Sequence, residues 1–207
     1  MARTAGSVGI ETAQRIRECA ERLFAAHGFA AVSMRQIAQD VGVQAAALYN
    51  HFPNKNALLE NLLVAHMEAL IAAWQSEARD NESAVAALRR FARFHIHYHA
   101  GRSDAVFISY MELRNLEPDS FKRVESLRKT YEGCVTAILK QGSERGELDV
   151  ADARIAGMAI IAMLTGVNTW YRQKGRLSLS EIEDIYTNMV LHSVGANLKE
   201  DACLAAE

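Results

Sequence analysis

Apolar side chains recur along most of this chain at the three- and four-residue spacing of amphipathic helices. In the first such segment, Ile16, Leu23 and Phe24 share one face, as the buried stripe of a helix requires. The 207 residues include only two prolines, so long stretches are free to be helical. The pattern predicts an all-α fold of about nine helices, with these spans: 12–27, 34–40, 44–51, 54–79, 83–101, 103–116, 118–142, 150–174 and 179–198.

Two short predicted helices follow the first one and are joined by a glycine. Ser33 begins the first of them, and Gln36 stands at the third helical position, where it completes a capping box. Gly42 lies between two valines and is free to adopt the positive φ of a tight turn. This order describes a helix-turn-helix between Ser33 and Phe52, whose second helix enters the major groove of DNA.

The residues of this region also resemble a known family. Phe29–Ala38, Val41–Val43 and Leu48–Phe52, followed by Lys55, closely resemble the TetR family of regulators over about residues 12–69. The resemblance implies a homodimer that places two DNA heads on a palindromic operator. It also implies that a small molecule entering the larger C-terminal domain releases the repressor from double-stranded DNA.

We therefore expect three parts in the chain. Residues 1–11 form a flexible arm, residues 12–54 form the DNA-binding head, and residues 55–207 form the ligand-binding and dimerisation domain.

The head supplies candidates for both backbone and base contacts. Arg35, His51 and Lys55 carry donors for phosphates, and the amides that follow Ser33 favour an anion, although Ser33 also serves as a cap alone. Gln44 can hydrogen-bond adenine, whereas three alanines after it can offer only methyl contacts. The predicted DNA-binding residues are Ser33, Met34, Arg35, Gln44, Ala45, Ala46, Tyr49, Asn50, His51 and Lys55.

Two segments of the C-terminal part point to an effector. Tyr110–Leu116 and Gly166–Arg172 are similar to the subset of the family that responds to acyl-CoA thioesters. Such a ligand needs an apolar tunnel for its acyl chain and cationic donors for its phosphates. The predicted effector-binding residues, for each of which core packing is the alternative, are Met67, Phe94, Tyr98, Phe107, Met111, Arg114, Trp170 and Arg172.

Residues 155–171 contain no charged side chain, and a run of this length nearly reaches that of a membrane span. Because polar residues interrupt the run, we interpret it as a helix buried in protein at a subunit interface, and no membrane association is expected. The last predicted helix carries an apolar stripe that we expect to join the same subunit interface. The predicted dimer contacts are Gly157, Ala162, Ile182, Ile185 and Met189.

Composition narrows the function classes. The formal net charge of −2 argues against a protein that coats nucleic acid over its whole surface. Three widely spaced cysteines and the lack of a signal sequence indicate the cytoplasm. His95, His97 and His99 lack further ligands at fixed spacing, so no metal or cofactor is predicted. No catalytic constellation is evident, yet an acyl-CoA-binding enzyme and a DNA-binding regulator without a ligand remain alternatives.

Overall fold

The structure is a computed structural model that describes residues 5–79 and 81–196. In this part of the chain it is all-α, as predicted. Since α9 is a single turn directly after α8, the described helices agree with the predicted number of about nine. The helices are α1 (Ala5–His27), α2 (Met34–Val41), α3 (Ala45–His51), α4 (Lys55–Ser76), α5 (Ala84–Ala100), α6 (Ser103–Met111), a 3₁₀ turn (Leu113–Asn115), α7 (Pro118–Glu144), α8 (Ala153–Thr165), α9 (Val167–Trp170) and α10 (Leu179–Ser193).

The described helices divide into two compact units. The first unit draws on Met1–Ala69 and Ser103–Leu127, so it contains α1 to α3, the beginning of α4, α6 and the beginning of α7. Its core includes Phe24, Leu48 and Ile108, each at most 1% exposed. Full burial of such a side chain stabilises a fold by roughly 1.5–3 kcal/mol. Hydrophobic burial therefore joins α6 to the three helices of the head.

The second unit draws on the described residues of the ranges 70–102 and 128–207. Here α10 packs along α5, which also contacts α8 and α9. Phe91 of α5 is fully buried, and the ring of Trp74 meets it edge-on with 5.0 Å between the ring centroids. The central position of α5 makes it the core helix of this unit.

This division differs from the predicted boundary between residues 54 and 55. Leu58 of α4, Ile108 of α6 and Val124 of α7 all lie in the hydrophobic core of the head. Helical periodicity identifies the apolar face of each helix but not the element that covers it. The beginning of α4, α6 and the beginning of α7, which the sequence analysis placed in the ligand-binding domain, thus pack with the head.

The N-terminal helix begins earlier than predicted. α1 starts at Ala5, so residues 5–11 of the predicted flexible arm are helical, while Met1–Thr4 lie outside the described residues. A glycine inside a helix costs only about 1 kcal/mol, and this segment contains no proline. Ile10 is 73% exposed, so this first part of α1 extends without burying its largest side chain.

Two of the long predicted helices begin or end at different residues in the structure. α6 stops at Met111, where residues to 116 were predicted to continue it, and Glu112 leaves the helical region with φ −103° and ψ 1°. In the predicted helix 150–174, α8 starts at Ala153 because the Asp152 carboxylate caps the amides of Arg154 and Ile155 at 2.8 and 3.0 Å. The predicted end of the last helix, Leu198, lies outside the described residues.

One helix among the described residues, α4, is long and apolar enough to cross a membrane by length and composition. Within its most apolar window 56% is buried inside the structure, as is typical of a core helix. The uncharged run 155–171 does not form one continuous helix, because α8 ends at Thr165. Its main helical part is therefore shorter than the run itself.

Candidate functional site

The helix-turn-helix has the N-terminal cap and the glycine turn that the sequence predicts, although only the Ser33 half of the predicted capping box is formed. Ser33 Oγ accepts a hydrogen bond from the amide of Gln36 at 3.2 Å, which caps the N-terminus of α2. Gly42 ends α2 with φ 76°, a left-handed conformation that favours glycine. Leu48 of α3 is fully buried and Phe52 is 6% exposed. The core thus fixes α3 and leaves its other face to solvent.

The solvent face of α2 and α3 carries most of the predicted DNA-binding set. Tyr49 is 47% exposed, and Ala45 and His51 are half-buried. Met34 is an exception, because only 7% of it is exposed and it belongs to the core of the head. Its thioether is not available to DNA, so Met34 stays a candidate only through its backbone amide at the N-terminus of α2. The exposed members of the set are Ser33, Arg35, Gln44, Ala46, Tyr49 and Asn50.

The structure gives Lys55 a different task from the predicted phosphate contact. Its ammonium donates to the carbonyl oxygens of Phe29 and Val32 at 2.7 and 2.8 Å. Burial lowers the pKa of Lys55, and the charge of Glu112 opposes this shift. The ammonium of Lys55 thus donates its hydrogen bonds to backbone carbonyl groups. This geometry favours a role in stabilising the turn between α1 and α2 over phosphate binding.

Glu112 lies against the DNA-binding head, a position that was not predicted from the sequence. It is 6% exposed, and its Oε1 accepts a hydrogen bond from the amide of Phe29 at 3.1 Å. Asn115 donates to the other carboxylate oxygen at 2.6 Å. Glu112 belongs to a segment that the sequence singled out, but helical spacing cannot reveal a contact across 83 positions.

A groove of about 750 Å³ crosses the second unit beside α5. Phe94 and Tyr98, both predicted effector-binding residues, lie in its wall with 5.5 Å between their ring centroids. Five arginines and three glutamates also line the groove, which gives it an excess of positive charge. The arginines are Arg79, Arg89, Arg90, Arg93 and Arg102.

The aromatic and cationic groups of this groove are arranged close to one another. The guanidinium of Arg102 lies 3.9 Å from the ring centroid of Tyr98. That of Arg90 lies 4.5 Å from the ring centroid of Trp74, a residue that does not itself line the groove. The buried Nη1 atom of Arg90 has no hydrogen-bond partner within the described ranges. Aromatic rings and guanidinium donors together suit a planar base and phosphate oxygens.

Acidic side chains balance part of this charge. Arg90 pairs with Glu82, and Arg93 pairs with Asp184 and, at 3.6 Å, with Glu183. An anionic ligand must therefore compete with these ion pairs. The spacing of Arg89, Arg93 and His97 at i, i+4 and i+8 on α5 was the sequence signal that could have identified this face.

The other predicted effector-binding residues do not gather around this groove. Met67 is buried, whereas Phe107, Met111 and Arg114 are exposed in the first unit. In the second unit, the exposed Trp170 stacks on Tyr186 with 6.1 Å between ring centroids. Arg172 donates to the carbonyl oxygen of Tyr171 at 2.7 Å and to that of Thr169 at 3.4 Å.

Two of the three histidines of α5 lie together in the interior, where the rings of His95 and His99 meet edge-on with 4.2 Å between their centroids. His95 is buried, with the Tyr131 hydroxyl 3.0 Å from Nδ1 and the Thr165 hydroxyl 2.9 Å from Nε2. His99 is also buried, while His97 lies in the groove with Nδ1 3.2 Å from Glu183. Over residues 5–79 and 81–196, no group of three His, Cys, Asp or Glu side chains is placed to hold a metal ion.

The predicted dimer residues are divided between core and surface. Gly157 is buried beside Val135 and Thr136, and Ile182 is 2% exposed, so both belong to the interior of their own chain. Ile185 is 45% and Met189 is 50% exposed. α8 also presents exposed apolar side chains, including Ala162, Ile155 and Met158.

The capped α2, the glycine turn and the exposed α3 define a helix-turn-helix DNA-binding protein. Comparison with known proteins identifies its family. Residues 16–62 match the bacterial regulatory proteins of the tetR family, and residues 81–194 match the tetracyclin repressor-like C-terminal domain. The chain belongs to the TetR family of bacterial regulatory proteins, and it is a DNA-binding transcriptional regulator.

Three relatives that match over nearly their whole length illustrate this membership. The transcriptional repressor KstR2 of Mycobacterium tuberculosis is 28% identical over an alignment of 204 residues, which covers 94% of this chain and 98% of KstR2. The TetR-family regulator PfmR of Thermus thermophilus is 30% identical, with a TM-score of 0.78 over 86% of this chain and 97% of PfmR. AibR, solved with isovaleryl coenzyme A and operator DNA, is 26% identical, with a TM-score of 0.80 over 86% and 97% of the chains.

Proposed function

We propose that this protein is a cytoplasmic homodimer that represses transcription from a palindromic operator and is released by an acyl-CoA thioester. It acts by binding and not by catalysis. In this proposal α3 reads the major groove, and the arginine-lined groove of the second unit receives the nucleotide part of the effector. The observation that carries the effector assignment is the combination of aromatic and guanidinium groups in that groove.

The DNA-binding surface supports contacts of two kinds. Arg35 and the N-terminus of α2 can bind phosphates, which set the position of the protein on the duplex. Gln44 and Asn50 are exposed on α3 and can hydrogen-bond base edges, adenine best of all. Because Ala46 offers only a methyl group, the specificity of the operator also depends on thymine methyl contacts and DNA shape.

The groove supports an effector that is anionic and partly planar. Phosphate oxygens would pair with guanidinium groups, and an adenine ring would stack on Phe94 or Tyr98. AibR was solved with such a thioester, and this chain is similar to it over most of its length. We therefore replace the predicted Arg114 and Arg172 by Arg89, Arg93 and Arg102 as the residues that bind the phosphates.

Two exposed apolar helix faces support the dimer. Ile155 and Met158 on α8, and Ile185 and Met189 on α10, are each at least 40% exposed. Large apolar side chains clustered on a surface mark interaction sites. A two-fold dimer would then place two copies of α3 in successive major grooves of a palindromic site.

The effector assignment is tested by fluorescence anisotropy on an operator selected from genomic fragments. Isovaleryl-CoA and palmitoyl-CoA should release the wild-type protein, while free fatty acids should not. Substitution of both Arg89 and Arg93 by Ala should weaken release at least tenfold, because two charge-assisted contacts are lost. Lys140→Ala, which removes an exposed cation of α7 outside the groove, serves as the matched control.

Three results would contradict parts of this proposal. If the protein selects no DNA fragment, the proposal that it binds an operator and represses from it is wrong. Equal release of the double arginine variant and the Lys140→Ala control would remove the groove from the effector site. Mass spectrometry of the thioester after incubation would show free CoA if the protein were an enzyme, whereas we expect the thioester to remain intact.

A further inference from the structure

The turn between α1 and α2, residues 28–32, is bound by opposite charges from two distant segments. The Glu112 carboxylate accepts the amide hydrogen of Phe29 at 3.1 Å. The Lys55 ammonium donates to the carbonyl oxygens of Phe29 and Val32 at 2.7 and 2.8 Å. The Glu112 carboxylate therefore binds an amide of this turn, and the Lys55 ammonium binds two of its carbonyl groups.

This turn leads directly into the DNA-binding helices. Val32 is followed by Ser33, the cap of α2, and α2 contacts α3. The ring of Phe29 packs edge-on against Phe24 of α1, with 5.2 Å between ring centroids. A displacement of the Phe29 backbone would consequently change the angle at which α2 and α3 leave α1.

Glu112 stands where α6 ends and the 3₁₀ turn begins, so its position depends on α6. Asn115 orients its carboxylate by donating to Oε2 at 2.6 Å. Only 6% of Glu112 is exposed, so water offers the Phe29 amide little compensation if the contact is lost. Hydrogen bonds weaken steeply once the heavy-atom distance exceeds about 3.5 Å, so a displacement of α6 by about 1 Å would break it.

We propose that Glu112 is a positioning residue for operator binding: it ties the end of α6 to the α1–α2 turn and so fixes the orientation of the helix-turn-helix. It does not touch DNA itself. The affinity for the operator then depends on the position of α6. This inference rests on the repressor function proposed above, and it assigns a specific task to a carboxylate outside the DNA-binding surface.

The test compares three substitutions with the wild-type protein. Glu112→Ala should lower operator affinity by up to about tenfold, because the free energy of one charged hydrogen bond no longer favours the orientation that binds the operator. Glu112→Gln retains an acceptor oxygen for Phe29 and should stay within about twofold of the wild type. Glu117→Gln is the matched control, because Glu117 instead accepts from Asn56 of α4 at 2.9 Å.

Amide hydrogen exchange separates positioning from a general loss of stability. At a temperature where circular dichroism shows each variant folded, Glu112→Ala should accelerate exchange at Phe29 but not in α5. If Glu112→Ala does not fold, Glu112→Asp replaces it, because its side chain is one methylene too short for the same contact. Wild-type-like affinity and wild-type-like exchange at Phe29 in the shortened or truncated variant would overturn the proposal. Failure of the wild-type protein itself to bind any operator would instead contradict the repressor function.

Discussion

The ammonium nitrogen of Lys55 lies 2.7 Å from the carbonyl oxygen of Phe29 and 4.2 Å from the centroid of the same residue's ring. One side chain of α4 thus binds both the backbone and the aromatic face of a residue in the α1–α2 turn. The contact links the beginning of α4 to the DNA-binding head through specific polar groups as well as through hydrophobic burial.

Replacing Lys55 by Met should destabilise the protein, because the methionine covers the ring but cannot bind the two carbonyl oxygens. We expect the free energy of unfolding to fall by about 2 kcal/mol. Urea denaturation measures this change. Lys122→Met is the control, since Lys122 pairs with Asp119 at the exposed surface, where such pairs contribute little. Unchanged stability with a weaker salt dependence of DNA binding would restore Lys55 as a phosphate contact.

Gln44→Ala should affect recognition and not general DNA affinity. Gln44 is exposed at the N-terminal end of α3, and its side chain makes no capping hydrogen bond. Loss of a base contact should reduce operator affinity at least tenfold and leave nonspecific affinity within about twofold. Competition with unrelated duplex DNA measures both quantities. Equal losses on the operator and on unrelated DNA would show that Gln44 binds the DNA backbone.

Charges placed on the α10 face should dissociate the dimer. The combined substitutions Ile185→Glu and Met189→Glu would force carboxylates into the proposed apolar interface, and analytical ultracentrifugation should show monomers at micromolar concentration. Ile10→Glu introduces a carboxylate at a side chain of α1 that is 73% exposed, and it should leave the dimer intact. A double variant that remains dimeric would place the interface elsewhere.

The cap of α10 should contribute to the acid sensitivity of the fold. Hydrogen bonds from the side chain and amide of Ser178 lower the pKa of Glu181. A lowered carboxyl pKa stabilises the folded state above the ordinary pKa, and this contribution is lost as the pH falls through the lowered value.

Glu181→Gln should therefore be less stable than the wild type at neutral pH, and the difference should shrink below about pH 4. Thermal denaturation at a series of pH values measures it. Glu144→Gln removes a carboxylate from the C-terminal end of α7, where the helix dipole does not favour a negative charge, so it should cause no loss of stability at neutral pH. A constant difference at all pH values would mean that the charge of Glu181 has no part in capping.

Local signals in the sequence were sufficient for the helix-turn-helix frame. Ser33 caps α2, Gly42 adopts the left-handed turn, and Ser178 with Glu181 forms a capping box at the start of α10. Each of these features depends on neighbours within a few residues, whose chemistry is visible in the sequence. Asp152 obeys the same rule, and its cap on α8 could have been predicted.

Contacts between distant residues were beyond such reasoning. Met34 occupies the position of a plausible surface residue, yet the packing of α2 buries it in the head. Lys55 and Glu112 are charged side chains that a sequence assigns to solvent, but both bind the backbone of the α1–α2 turn. Their roles depend on which helices pack together, which helical periodicity does not specify.

Reciprocal binding of operator and acyl-CoA is the most direct test of the account as a whole. Isothermal titration of the protein with isovaleryl-CoA, alone and saturated with operator DNA, gives two effector affinities. Because allosteric coupling is reciprocal, operator DNA should weaken effector binding by the same factor by which the effector weakens operator binding. Identical effector affinities in the presence and absence of operator would contradict the proposal that an acyl-CoA thioester releases this repressor from DNA.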